Sequence, residues 1–264
     1  MAADLTSLLE RFVRSCLDVF GEDRVEAIVL HGSAHKGGTI PGFSDIDFMV
    51  FLAPDCFDEH KQLPDEWVFA IQERIGPLPW REAGFLYPQA YFYDARRLPE
   101  WWTGPAPGAY RELWGRLPPE AAATSERLRG SSTRFLKETV GQYIERDLAG
   151  FIDANDGTLP RRVRLLGTAV TPTVFALIAY DAEDALDAWA QSKFEALRRL
   201  KERHGDAEGP ALAQRFYDNV RLLYADEFDA DLGRKTFRVG IEFLRWAERI
   251  GKELPPDAAR VAGR

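Results

Sequence analysis

Apolar residues at Leu5, Leu8, Leu9, Phe12, Val13, Cys16, Leu17 and Phe20 recur every three or four positions, which predicts a helix with one buried face over residues 5–20. Asp4 or Thr6 can cap its start, and Gly21 can end it. Val25 to His31 is an apolar, β-branched run and predicts a buried strand. Residues 32–44 are rich in Gly, Ser and Pro, so a loop with one short helical turn is expected there. Asp45 to Leu52 predicts a second strand, Glu59 to Ile75 a helix, and Tyr87 to Tyr93 a third strand, followed by the Pro/Trp-rich stretch near Pro99-Glu-Trp-Trp102.

After about Pro119 the pattern turns helical throughout. Helices are expected at Ser132–Asp153, Pro160–Tyr180, Ala182–His204, Pro210–Tyr224 and Lys235–Ile250, with a frayed tail over Pro255–Arg264. Stripes such as Phe135, Val140, Tyr143, Ile144, Leu148, Phe151 and Ile152 read as bundle core. An α/β half followed by an all-helical half gives an α+β chain of two domains, 1–125 and 126–264, with the cleft between them as the expected ligand site.

Composition narrows the function classes. Of 264 residues, 45% are hydrophobic and 29% charged, an ordinary globular balance that excludes fibrous and wholly disordered chains. The start, with Asp4 and Glu10 and no basic segment, is unlike a secretory signal. No apolar run approaching ~18 residues stands out, so no membrane partner is expected. Two cysteines, Cys16 and Cys56, are too few for a disulfide framework or a zinc site, and a reducing cytoplasm is the expected compartment.

Charge changes the picture further. Residues 1–125 carry 11 Lys and Arg against 19 Asp and Glu, while residues 126–264 carry 23 against 23, so the first half holds the whole net charge of −8. Such a half lacks the cations a nucleic-acid surface needs, and no nucleic-acid partner is expected. It would attract metal ions or a polycationic small molecule, unless the charge serves solubility alone.

The chemistry concentrates in Leu30-His31-Gly32-Ser33-Ala34 and Ser44-Asp45-Ile46-Asp47-Phe48. A strand that ends at Gly32-Ser33 can turn backbone amides outward, let an anion approach the glycine closely, and add the Ser33 hydroxyl as a donor; this makes a small phosphate cradle. After an eleven-residue spacer comes the second strand. Side chains alternate along a strand, so Asp45 and Asp47 share one face while Ile46, Phe48 and Val50 enter the core on the other. Two neighbouring carboxylates repel unless a cation lies between them, and oxygen-only ligands beside phosphates suit Mg²⁺. Asp45 and Asp47 are therefore the candidate catalytic and metal residues, suited to in-line displacement at phosphorus. Gly32, Ser33, Lys36 and Ser44 are the candidate nucleotide-binding residues, with Ser44 orienting the loop and Lys36 and His35 close enough to meet a triphosphate or else simply solvated.

Gly-Ser, a spacer of roughly ten residues and acid–apolar–acid–apolar on a strand resemble the nucleotidyltransferase superfamily, the polymerase-β-like fold. Within it the layout is most similar to streptomycin/spectinomycin-type aminoglycoside adenylyltransferases, with a weaker echo at Ser192-Lys193-Phe-Glu-Ala196. The resemblance is strong over about residues 25–53 and diffuse elsewhere. It implies a mixed N-terminal sheet with helices, a helical C-terminal domain, Mg²⁺ as cofactor, and transfer of AMP or another NMP from ATP or another NTP to a hydroxyl of a small, cationic acceptor such as an aminoglycoside.

The chain departs from that family at one point. Members tend to carry a third carboxylate where Gln89 stands, and a neutral amide cannot take a proton from an acceptor. Glu82, Asp94 or an acid of the helical half remain as substitutes. A catalytically weak nucleotide-binding or regulatory homologue is the alternative reading, and a tRNA-directed enzyme a third, disfavoured by the acidic first half. Trp80, Tyr91, Trp101 and Trp102 could stack on a base or sugar or pack a domain seam. The Arg199…His204 spacing resembles helical ribonuclease toxins but is explained by a charged helix end before Gly205.

Overall fold

In the computed structural model, which describes residues 4–255, the chain opens with α1 (Leu5–Phe20). Asp4 caps it by accepting from the Thr6 N–H at 3.2 Å, and Gly21 ends it. Then come β1 (Val25–His31), the short α2 (Ser33–Lys36), β2 (Ile46–Leu52), α3 (Asp65–Ile75), β3 (Pro88–Asp94) and β4 (Arg111–Gly115). The sheet order is β3-β2-β1-β4, with β1 antiparallel to β2 and β4 and β2 parallel to β3. A parallel pair needs a crossover, and α3 supplies it.

Strand alternation sorts the residues onto two faces. Ile28, Leu30, Ile46, Phe48, Val50 and Leu52 meet Leu8, Phe12, Cys16 and Phe20 of α1 and Ile71 and Ile75 of α3 in the main core. Phe12 is fully buried, with its ring centroid 3.7 Å from that of Phe48. Trp80 closes edge-on against both rings. The opposite face packs Ala27, Val29 and Phe51 under Trp102, Leu117 and Ala121. Both cysteines are buried and free.

Three local differences from the sequence pattern have simple causes. β2 begins at Ile46, one residue after Asp45. α3 begins at Asp65 rather than Glu59, because Pro64 at the N-cap suits a helix boundary and Asp58 closes a separate turn with the His60 and Gln62 N–H groups. β4 went unforeseen: it is five residues long, at the sheet edge, with exposed Arg111 and Glu112 in place of an alternating apolar signal.

The chain divides into two compact units, Met1–Ala123 and Thr124–Arg264. The second unit is helical: α4 (Ser125–Arg134), a π turn (Phe135–Thr139), α5 (Val140–Ile152), α6 (Leu159–Ala179), α7 (Ala185–Ala190), α8 (Lys193–His204), α9 (Glu208–Leu223) and α10 (Ala230–Glu253). The helix expected over 182–204 is two helices, because Asp184 caps one start at Leu186 and Asp187 and Ser192 caps another at Glu195. The helix expected over 132–153 is interrupted by the π turn. There α10 approaches closely: a Cβ on Gly251 would lie 2.2 Å from the Leu136 carbonyl oxygen. By length and composition α6 could cross a membrane, contrary to the expectation from the sequence, but 72% of its apolar window is buried inside the protein. The tail expected to fray lies, apart from Pro255, outside the described residues.

The α+β class is thus a mixed four-stranded sheet with helices followed by a helical unit. Phe12→Ala removes the ring that seats α1 on β2 and is expected to destabilise the protein by about 3–5 kcal/mol, measured by denaturant unfolding; a loss under about 1 kcal/mol would contradict this packing.

Candidate functional site

The apolar face under Trp102 gives out at one end of the sheet. Ala27 pairs with Phe51, Val29 with Met49, and then His31 with Asp47. On the far side of β2, Asp47 pairs with Gln89 and Met49 with Tyr91. His31, Asp47 and Gln89 therefore form one polar row across three strands, on one face.

The chain turns sharply at the end of β1. Gly32 has φ 69° and ψ −155°, a conformation side-chain-bearing residues rarely adopt. A Cβ built there would lie 2.1 Å from Asp47 Oδ2. The Asp47 carboxylate thus occupies the space against Gly32 that any other residue would fill. Beyond the bend, the Ser33 carbonyl accepts from the Gly37 N–H at 2.9 Å and from the Thr39 hydroxyl at 3.2 Å. Ser44 is buried: its hydroxyl accepts from the Ile40 N–H at 2.9 Å, and its carbonyl accepts from Leu86 at 2.8 Å. That geometry ties the loop to the start of β2, the strand that carries Asp47, with Asp45 immediately before it. His35 reaches the Gly108 carbonyl at 3.2 Å, and Lys36 ends α2.

The charge of both acids is felt at Tyr91. Burial, then Asp47 and more weakly Asp45, push the Tyr91 phenol up, while its bond with Gln89 pulls it back. Asp45 and Asp47 are both partly exposed. The Gln89 Nε2 donates to the Tyr91 hydroxyl. On the other flank, burial and then the Lys36 charge push His31 down to about 4, so its imidazole is neutral at pH 7. Its Nε2 is sealed from solvent and has no hydrogen-bond partner among the described residues. The sequence pattern treated His31 only as a packed strand end; its place beside Asp47 appears once the antiparallel register is known.

Asp94, Trp80, Trp102 and Arg199 fall elsewhere. Asp94 stands opposite Leu52, five residues along β3 from Gln89, about 17 Å at the ordinary strand rise. It closes a turn with the Arg96 N–H and is too far from Asp47 to act there. Glu82 is exposed on the wall of a 570 Å³ groove with Gln72, Trp80, Arg81 and Tyr87. Trp80 and Trp102 are core residues whose indole N–H groups donate to the Ile75 and Ala121 carbonyls, which removes them from ligand stacking. Trp101 and Tyr91 are exposed. Arg199 is held by Asp187 and Glu195, and His204 packs edge-on against Trp246 at 5.1 Å, so that spacing serves the helical unit.

Among the described residues no group of three or more His, Cys, Asp or Glu is placed to hold a metal. The site offers two carboxylates beside a glycine bend. That donor set is all oxygen and fits a hard divalent cation that takes its remaining ligands from water and substrate. Residues 9–81 match the family model of the nucleotidyltransferase domain. The matched stretch includes Gly32, Ser33, Lys36, Ser44, Asp45 and Asp47 and stops short of Gln89. The nucleotidyltransferase domain and the mixed sheet together support the superfamily and, at the level of chemistry, nucleotidyl transfer. No curated protein is a significant match to the chain.

Gly32→Ala forces a positive φ on a side chain and drives its Cβ into Asp47. The variant is expected to lose about 1–3 kcal/mol of stability, read by thermal melting. Unchanged stability would contradict the tight contact between Gly32 and Asp47.

Proposed function

We propose that the protein is a Mg²⁺-dependent nucleotidyltransferase that moves AMP from ATP to a hydroxyl of a small acceptor, with polycationic aminoglycosides among the acceptors. The observation that carries this reading is the Asp47 carboxylate lying against Gly32, because it puts an acid of the pair beside the turn whose amides suit phosphate oxygens. Asp45 and Asp47 would hold the metal, which supplies charge neutralisation on the nucleotide phosphates when bound.

The chain's own residues do the rest. Gly32 and Ser33 receive the β- and γ-phosphates, Ser44 keeps the loop at the strand, and Lys36 adds positive charge to the loop. The acceptor oxygen forms a bond to the α-phosphorus as the bond from that phosphorus to the bridging oxygen breaks, and pyrophosphate leaves. Gln89 beside Asp47 can hydrogen-bond the acceptor but cannot take its proton, which passes to water. The acidic first half of the chain favours a cationic acceptor by attraction.

Gln89 also favours a second reading, a nucleotide-binding regulator that transfers little or nothing. Labelled NTPs, Mg²⁺ and a panel of aminoglycosides separate the two, since tight nucleotide binding without pyrophosphate release supports the regulator. For the enzyme, Asp47→Asn is expected to abolish Mg²⁺-dependent transfer, at least 10²-fold by the usual size of such losses, with an unchanged circular dichroism spectrum. Equal activity in the two proteins would remove the proposal.

A further inference from the structure

The row across the sheet fixes the charge available to a cation. Asp47 has His31 on one side and Gln89 on the other, both in direct register. Neither neighbour brings negative charge. The amide of Gln89 is held by the Tyr91 hydroxyl, so it lies along the sheet face instead of swinging away, and Tyr91 itself is close enough to feel both acids. Among the described residues no third carboxylate or imidazole joins Asp45 and Asp47 to make a metal-holding group. Lys36, at the end of α2, adds a positive charge close enough to be felt at His31.

Divalent-ion affinity grows with the number of charged oxygen ligands, and Mg²⁺ held by only two carboxylates normally relies on substrate phosphates for the rest of its shell. We propose that Gln89 is a specificity-determining residue that keeps this site at two carboxylates, so that a divalent cation is retained only together with a nucleoside triphosphate and not by the protein alone. This rests on the reading of Asp45 and Asp47 as the metal-holding pair. In that arrangement the cation and the triphosphate arrive as one substrate, and the nucleotide-free protein stays open to cationic small molecules that the same two acids attract. A glutamate at the Gln89 position has nearly the same shape and would complete a three-carboxylate site.

The test uses Mn²⁺ as the probe and electron paramagnetic resonance of free Mn²⁺ as the readout, on the full chain, with and without the non-transferable analogue α,β-methylene-ATP. Wild type is expected to retain Mn²⁺ at least about tenfold more tightly with the analogue than without it. Gln89→Glu is expected to bind Mn²⁺ without any nucleotide at least about tenfold more tightly than wild type does. Asp47→Asn should abolish both effects. Wild type binding Mn²⁺ equally well with and without the analogue, lost in Asp47→Asn, would overturn the inference while leaving the acids as metal ligands. Gln89→Glu behaving as wild type would overturn it as well. No retention by wild type or Gln89→Glu under either condition would overturn both this inference and the metal-dependent reading beneath it.

Discussion

The site depends on one close approach, the Asp47 carboxylate against the α-carbon of Gly32. It is possible only because β1 and β2 are antiparallel neighbours in a register that sets His31 opposite Asp47, and because the residue after His31 has no side chain. The register in turn is held by the core beneath it. Phe12 on Phe48, with Trp80 across both, pins the inward face of β2, and a one-residue slip would carry Asp47 into that core. The acid is thus positioned by apolar packing on the far side of the sheet as much as by anything it touches.

Much of this was legible in the sequence. The spacing of Leu8, Phe12, Cys16 and Phe20 gave α1 its face, and the alternation of Ile46, Phe48 and Val50 put Asp47 on the opposite side of β2, with Asp45 just before the strand. Local turn and cap chemistry was harder to see. Pro64 delayed α3, paired caps at Asp184 and Ser192 split one expected helix, and close packing of Gly251 against Leu136 came with a π turn. Those effects come from contacts distant in sequence or from several start signals competing within one apolar pattern. The short edge strand β4 carried no pattern long enough to read.

At the site, the sequence named the acids and the bend, but it could not tell which neighbours they have. Strand register decides that. It sets Gln89 beside Asp47, carries Asp94 to the other end of β3, and brings His31 into the polar row. Aromatic residues divide for the same reason: Trp80 and Trp102 point into cores on either face, whereas Tyr91 stays on the open end with the acids. What emerges is a sparse site, with two acids, neutral neighbours in line with one of them, and a loop tied down by Ser44.

The most direct measurement of this account is the anomalous-scattering position of Mn²⁺ in crystals grown with a non-transferable ATP analogue. A single peak shared by the Asp45 and Asp47 carboxylates is expected, with the analogue's β- and γ-phosphates at the Gly32–Ser33 amides. A peak away from both acids, or a triphosphate lying clear of that bend, would contradict it.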